Sequence, residues 1–284
     1  MSIVVTAATG QLGHLVIAEL LRRGVPAGEV VAAGRTLDKA ADLVGQGVRT
    51  VFADYSDPDS LGKVFSAGDT VLLISGSEVG HRVRQHRNVI DAAAEAGVGR
   101  IAYTSVLSAD DTPLVVAAEH LPTEEAVRAS GLPFTLLRNG WYTENYGQAM
   151  KQAASTGVVV SSAGDGRVAS ATRADYAAAT AAVLSTDGHA GKVYELSGDH
   201  AWSFDELAAA FATLLGREVA LRRVSAEEHR QILSEAGVPD GVVGFVVTLD
   251  GNIRDGALAS TPGDLSRLAG RPSTPLVEAL RPLL

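Results

Sequence analysis

A turn rich in small residues, Thr6-Ala7-Ala8-Thr9-Gly10-Gln11-Leu12-Gly13, follows a short apolar run near the start of the chain. Such a turn, leading from a strand straight into a helix, offers backbone N–H groups and the positive end of a helix to a pyrophosphate. Ala7, Thr9, Gly10, Gln11 and Leu12 are therefore candidate dinucleotide-binding positions, and Gly13 allows the helix to pack closely on the strand. Ala7 stands where a G-x-x-G-x-x-G pattern has its first glycine, a place alanine fills if its φ stays negative. About 20 residues on, where a ribose 2′-hydroxyl would call for an acid, stands Gly34-Arg35. A guanidinium pairs with a 2′-phosphate and stacks on adenine, so Arg35 points to NADPH over NADH. Asp54-Tyr55 either borders the adenine or serves capping and packing. A later apolar run ends in Ser75-Gly76-Ser77-Glu78, small residues where a nicotinamide half can pass.

Proton transfer by a tyrosine whose pKa a nearby lysine lowers requires Tyr-x-x-x-Lys. The tyrosines are at 55, 103, 142, 146, 176 and 194, and none has a lysine four residues on. With only four lysines (Lys39, Lys63, Lys151, Lys192), no such pair exists, and no catalytic side chain is assigned. His120, with Val116 four residues before it, reads as structural, without a visible partner. His81, Arg82, Arg84, His86 and Arg87 form a basic cluster, either a phosphate contact from Arg82 or a solvated helix face. His81 and His86 are not spaced as metal ligands on one helix face, and no metal site is expected. The segment Asn139-Gly140-Trp141-Tyr142-Thr143-Glu144-Asn145-Tyr146 concentrates aromatics in a chain that has only 5% of them. A planar substrate can stack on Trp141 or Tyr142 while Asn139 or Asn145 holds its carbonyl; the competing reading is hinge packing.

The elements that must position these residues alternate through the first half. Strands are expected at Ile3–Thr6, Val30–Ala33, Val48–Phe52, Thr70–Ile74, Arg100–Thr104 and Phe134–Leu137. Between them lie helices over about Gln11–Arg23, Thr36–Leu43, Val83–Ala96 and Glu119–Ala129, with Asp57-Pro58 opening another. Strands apolar on both faces belong in a parallel sheet covered by helices, so the fold class is α/β, doubly wound. Residues 1–138 read as the dinucleotide-binding domain, to which later segments can return. Residues 139–284 read as a smaller, mixed and mostly helical substrate-side domain over the carboxyl ends of the sheet. Ser203 with Glu206 and Ser225 with Glu228 look like capping boxes, and Thr274-Pro275 opens a last helix.

The 284 residues carry a net charge of −9 and no cysteine. Disulfide scaffolds, thiolate metal sites and cysteine nucleophiles are excluded, and a reducing compartment fits. The acidic balance disfavours nucleic acid and anionic membrane as partners. No apolar run reaches membrane-spanning length, and the N-terminus lacks the basic region of a signal peptide, so a cytoplasmic location is expected.

Ala-Thr-Gly-Gln-Leu-Gly, Ile-Ser-Gly-Ser-Glu-Val-Gly, Gln-His-Arg-Asn-Val-Ile, Ile-Ala-Tyr-Thr-Ser, Leu-Leu-Arg-Asn-Gly-Trp-Tyr-Thr-Glu-Asn-Tyr and Ala-Ser-Ala-Thr-Arg-Ala-Asp-Tyr together resemble the NmrA-like atypical short-chain dehydrogenases over nearly the whole chain. The resemblance implies a Rossmann domain, NADPH as cofactor and two-electron reduction of a quinone without flavin. Similar patterns occur in reductases of triphenylmethane dyes and in NmrA-like redox sensors that bind the dinucleotide without turnover. The expected partner is a small planar acceptor, and a homodimer is left open. The missing Tyr-x-x-x-Lys agrees, because a quinone yields a stabilised hydroquinone anion that solvent can protonate.

Overall fold

Strands with no polar face must be covered on both sides, and the chain answers with strict alternation. The computed structural model describes all 284 residues. The first half runs β1 (Ile3–Val5), α1 (Gln11–Arg22), β2 (Val30–Gly34), α2 (Ala41–Gly45), β3 (Arg49–Phe52) and α3 (Pro58–Leu61). It continues with β4 (Thr70–Leu73), α4 (Arg82–Glu95), β5 (Arg100–Val106), α5 (His120–Ala129) and β6 (Phe134–Asn139). Then come α6 (Gly147–Thr156), β7 (Val158–Ser161), β8 (Arg167–Val168), α7 (Arg173–Ser185), β9 (Lys192–Leu196) and β10 (Trp202–Ser203). The rest is helical but for β11: α8 (Phe204–Leu215), β11 (Ala220–Arg223), α9 (Ala226–Glu235), α10 (Asp240–Arg254), α11 (Asp264–Ala269) and α12 (Leu276–Leu280).

The main sheet has seven strands in the order β3-β2-β1-β4-β5-β6-β9, and every pairing is parallel. Successive residues face opposite layers. Val5, Ala32 and Leu72 enter a cluster of 25 buried residues with α1, α7 and α11. Val4, Val31 and Val71 enter one of 17 with α3, α4 and α5. A third cluster of 21, around Trp202, Phe204 and Phe211, is the core of a C-terminal lobe and reaches into the first half through Val106, Ala109, Leu114 and Ala117. That lobe holds two small ribbons, β7 with β11 parallel and β8 with β10 antiparallel, amid its helices.

Six strands were expected in the sheet; the seventh, β9, comes from beyond residue 138. Its sequence, Lys-Val-Tyr-Glu-Leu, lacks the apolar run of a central strand because it lies at the sheet's edge. The single helix expected over Thr36–Leu43 is a 3₁₀ turn, Leu37–Ala40, followed by α2. Ala40, at φ −109° and ψ 16°, interrupts the helical ladder. Capping boxes close on α7 (Thr172 with Asp175) and α8 (Ser203 with Glu206). At α9 the box is only half formed: Ser225 Oγ accepts the Glu228 N–H, but the Glu228 carboxylate is taken by Arg222 at 2.6 Å. Asp175 also accepts hydrogen bonds from Arg271 Nη1 at 2.6 Å and Thr274 Oγ1 at 3.0 Å, tying the C-terminal segment to α7. Burial opposes charge on Asp175, but bonds from Thr172, Thr274 and Arg271 prevail and hold its pKa below the ordinary value. No helix is long and apolar enough to cross a membrane.

Candidate active site

The connections from β1 and β4 run in opposite directions along the sheet, so the crevice above their carboxyl ends is the topological switch point, where such sheets bind ligands. A cavity of about 800 Å³ lies there and is lined from every predicted site segment.

The first wall is the β1–α1 turn, where Ala7, Thr9, Gly10, Gln11 and Leu12 all line the cavity. Gly10 caps α1 with no side-chain hydrogen bond, leaving the first N–H groups of a twelve-residue helix for a ligand. A Cβ at Gly13 would stand 2.6 Å from Ala7 O and 2.8 Å from Ala8 Cα, so only glycine permits this approach of helix to strand. Ala7 departs from expectation: its φ is +47°, a left-handed conformation. The turn demands it, since Gly10 N–H donates back to Ala7 O at 2.9 Å.

Arg35 follows β2 on the second wall. Its Nη1 donates to Glu78 Oε1 at 2.8 Å, and the other Glu78 oxygen accepts from the buried Gln85 at 2.8 Å. Thr36 and Lys39 line the same wall and were missed; Lys39 reaches it from the 3₁₀ turn that follows Arg35. Asp54 and Tyr55 line the cavity and are structural too: Tyr55 OH donates to Ile74 O at 2.9 Å, and Asp54 Oδ1 accepts from Ser56 N.

Ser75, Gly76 and Ser77 form the third wall. Ser75 N–H donates to Thr104 Oγ1 at 2.9 Å, and Gly76 N–H donates to His86 Nε2 at 3.0 Å. The second bond makes Nε2 an acceptor, so the His86 proton sits on Nδ1, 3.0 Å from Thr123 Oγ1. Burial, followed by the charges of His120 and Arg82, pushes the His86 pKa down to about 3. The basic cluster thus divides. His86 is buried under the loop, Arg82 lines the cavity, and only His81, Arg84 and Arg87 are exposed. His120 also gains the partners it lacked in sequence, with Nδ1 at 2.8 Å from Tyr103 OH and Nε2 at 3.5 Å from Arg82 Nη1. Burial and then Arg82 lower its pKa to about 4, so it is neutral near pH 7.

The fourth wall follows β6. Arg138, buried between Glu124 at 2.8 Å, Asp110 at 2.9 Å and Glu195 at 2.9 Å, fixes the strand end. Asn139, Trp141, Tyr142 and Asn145 line the cavity, with Arg173 of α7 beside them. Asn139 Nδ2 donates to Tyr142 OH at 3.2 Å. The Tyr142 ring lies under the Arg173 guanidinium at 4.6 Å and edge-on to Tyr176 at 5.1 Å. Arg173 also donates to Asn145 Oδ1 at 3.3 Å. Tyr146 turns away into the lobe core, 4.9 Å from Trp202. Of the aromatic cluster, Trp141 and Tyr142 thus line the cavity, whereas Tyr146 packs within the lobe.

Ser75 Oγ, Ser105 Oγ and Asn139 Oδ1, buried on residues that line this cavity, have no hydrogen-bond partner, and neither has Arg82 Nε. Buried polar groups are rarely left unpaired, so the set fits a polar ligand crossing the ends of β4, β5 and β6. Thr104, Ser105, Leu114 and Leu258 also line it and were missed. The first two were legible as the carboxyl end of a strand beside the switch point; the others lie on irregular segments.

The model of the NmrA-like family matches residues 1–249. Quinone oxidoreductase 2 of Escherichia coli is 48% identical over 278 residues, covering 98% of this chain and 97% of its own. The crystal structure of the NADPH-dependent quinone oxidoreductase from Escherichia coli complexed with NADPH has a TM-score of 0.94 at 47% identity, covering 99% of both chains. The triphenylmethane reductase of Citrobacter sp., complexed with NADP(H), has a TM-score of 0.93 at 40% identity over the full length of both.

Proposed function

The chain belongs to the NmrA-like family, and on that premise we propose that it is an NADPH-dependent, flavin-independent reductase of quinones. The observation that carries the reading is a cavity that joins a cation-bearing wall at Arg35 and Lys39 to the unpaired side-chain atoms of Ser75, Ser105 and Asn139 and an aromatic wall. The residues fit the dinucleotide. Ala7, Thr9, Gly10, Gln11 and Leu12 would hold the pyrophosphate against the start of α1, and Arg35 the 2′-phosphate. Ser75, Gly76, Ser77, Asn139 and Tyr142 would hold the nicotinamide half, with the Asn139 oxygen free to accept from an amide. NADPH, when bound, supplies the hydride.

Trp141, Tyr142 and Asn145 would then orient the planar acceptor. Trp141 packs on the core of the C-terminal lobe, which gives it a fixed base. The chain's task is proximity and the exclusion of water, which suits a site with no Tyr-x-x-x-Lys. Its place of work on this reading is the cytoplasm, in keeping with the absence of cysteine.

The test is steady-state NADPH oxidation with benzoquinone or 1,4-naphthoquinone and no added flavin. Turnover with NADPH well above that with NADH is expected; binding of NADPH without turnover would leave a sensor instead. The likeness to triphenylmethane reductase keeps a second acceptor class in view. A panel of quinones and cationic dyes, compared by kcat/KM, decides between them.

A further inference from the structure

Arg82 differs from most arginines of this chain. Arg35, Arg138, Arg173, Arg222 and Arg271 each lie within 3.5 Å of a carboxylate oxygen. Arg82 has only Glu119, at 3.8 Å, although its side chain is just 14% exposed. Its buried Nε has no hydrogen-bond partner. Glu119 Oε1 accepts from Gly80 N–H at 2.9 Å, and its Oε2 is the oxygen that faces Arg82 from beyond hydrogen-bond reach. The guanidinium lines the cavity beside His120, which cannot relieve it of charge.

The carboxylates lining the cavity are Asp54, after β3, and Glu78, which is bonded to Arg35 and Gln85. Arg82 Nη1 lies 3.5 Å from His120 Nε2, and Val106, Leu114 and Val116 are among the apolar residues of the same cavity lining. A nearly buried cation whose nearest carboxylate stands at 3.8 Å, without a hydrogen bond, beside a neutral imidazole, is costly to maintain. Such an arrangement is suited to receiving negative charge, where preorganised donors act in a medium of low dielectric.

We propose that Arg82 is a catalytic residue whose guanidinium stabilises the negative charge that develops on the acceptor oxygen. The proposal rests on the quinone-reductase reading. The acceptor gains one hydride, and so two electrons, while the reduced cofactor departs oxidised. The quinone C=O bonds become C–O single bonds; the hydrogen ends on one oxygen and the charge on the other, where one solvent proton closes the balance. Arg82 faces that anionic oxygen, and no side chain of the protein gives up a proton. The site accordingly favours acceptors reduced to an oxyanion over acceptors that arrive as cations.

The experiment compares wild type, Arg82→Met, Arg82→Gln and Arg82→Lys at saturating NADPH with 1,4-naphthoquinone. NADPH affinity is measured separately by fluorescence titration, and folding by thermal melting. Loss of one transition-state donor typically costs about 10²–10³ in turnover, so kcat should fall by roughly that factor in the Met and Gln variants. Lysine should recover at least about tenfold of the loss by restoring the charge. NADPH affinity should stay within about twofold in all three. Either neutral variant suffices if the other does not fold; a Lys variant no better than either, or failure of both neutral variants to fold, overturns the assignment. Weakened NADPH affinity with unchanged kcat would make Arg82 a phosphate ligand and sink the proposal, and so would unchanged kcat alone. Absence of quinone turnover in the wild type would instead remove the reading on which it rests.

Discussion

Arg35 and Glu78 meet across the mouth of the cavity, Nη1 to Oε1 at 2.8 Å, with Gln85 steadying the carboxylate from behind. The residue that would greet a 2′-phosphate is thus already engaged by an anion, and both partners are exposed enough for solvent to screen them, at 57% and 41%. A dianionic phosphate competes with Glu78 for the guanidinium; a ribose hydroxyl does not.

Arg35→Gln is therefore expected to weaken NADPH binding about tenfold or more, the worth of a charge-assisted bond, with a much smaller change for NADH. Glu78→Gln should tighten NADPH and leave NADH nearly unchanged. Titrations with both dinucleotides check the pair; equal effects on the two cofactors would remove Arg35 as the discriminator.

Trp141 and Tyr142 should part company on mutation. Tyr142 is held by Asn139, Arg173 and Tyr176, so Tyr142→Ala is expected to lower the melting temperature and weaken NADPH binding together. Trp141 lines the cavity while half-buried against the lobe core. Trp141→Ala should raise the acceptor KM several-fold, since a stacking contact is worth about 0.5–1.5 kcal/mol beyond area burial, with little change in NADPH affinity. Unchanged acceptor kinetics beside a lower melting temperature would assign Trp141 to packing alone.

The buried histidines make the fold sensitive to acid. His86 and His120 titrate near 3 and 4 in the native state, against about 6.5 when unfolded. The unfolded chain therefore takes up protons first, and the contribution of both residues is full above about pH 6.5 and lost progressively as pH falls towards 4. Melting temperature should fall steadily from pH 7 to pH 5, and His86→Gln should flatten that slope. His120→Ala should leave kcat within about tenfold at pH 7, because a neutral imidazole with an acidic pKa is no general acid there.

Ala7 offers a test of the backbone alone. A left-handed conformation costs an ordinary residue about 1–2 kcal/mol, which glycine does not incur. Glycine's looser unfolded chain returns part of this. Ala7→Gly should hold or raise the melting temperature with cofactor affinity retained, whereas Ala7→Val should lower both.

Much of this was legible in advance because the signals are local. The β1–α1 turn, Arg35 at a strand end and the Ser75–Ser77 loop each declare themselves within a few residues, and all line the cavity. What stayed hidden depends on contacts distant in sequence. His86 reads as one of a basic run until Gly76 N–H and Thr123 are seen on its two nitrogens. His120 lacks a partner until β5 brings Tyr103 to it. Ala7 looks compatible with negative φ, and only the closed turn shows otherwise. The edge strand β9 escaped because Lys192 and Glu195 interrupt its apolar residues, as an edge permits.

The cover over α1 comes from α7 and α11, which contribute Tyr176, Ala177, Ala181 and Leu265 to the same cluster as Val16, Ile17 and Leu20. On the ribosome that order has a consequence. When β1 through β6 have emerged, the face of the sheet that α1 occupies still lacks the helices that complete it, and the edge of β6 is open for want of β9. A nascent chain halted at residue 138 would present both an apolar face and an unpaired strand, the surfaces on which chains aggregate. That face and that edge are complete only once β9 and α11, which ends at Ala269, have been made.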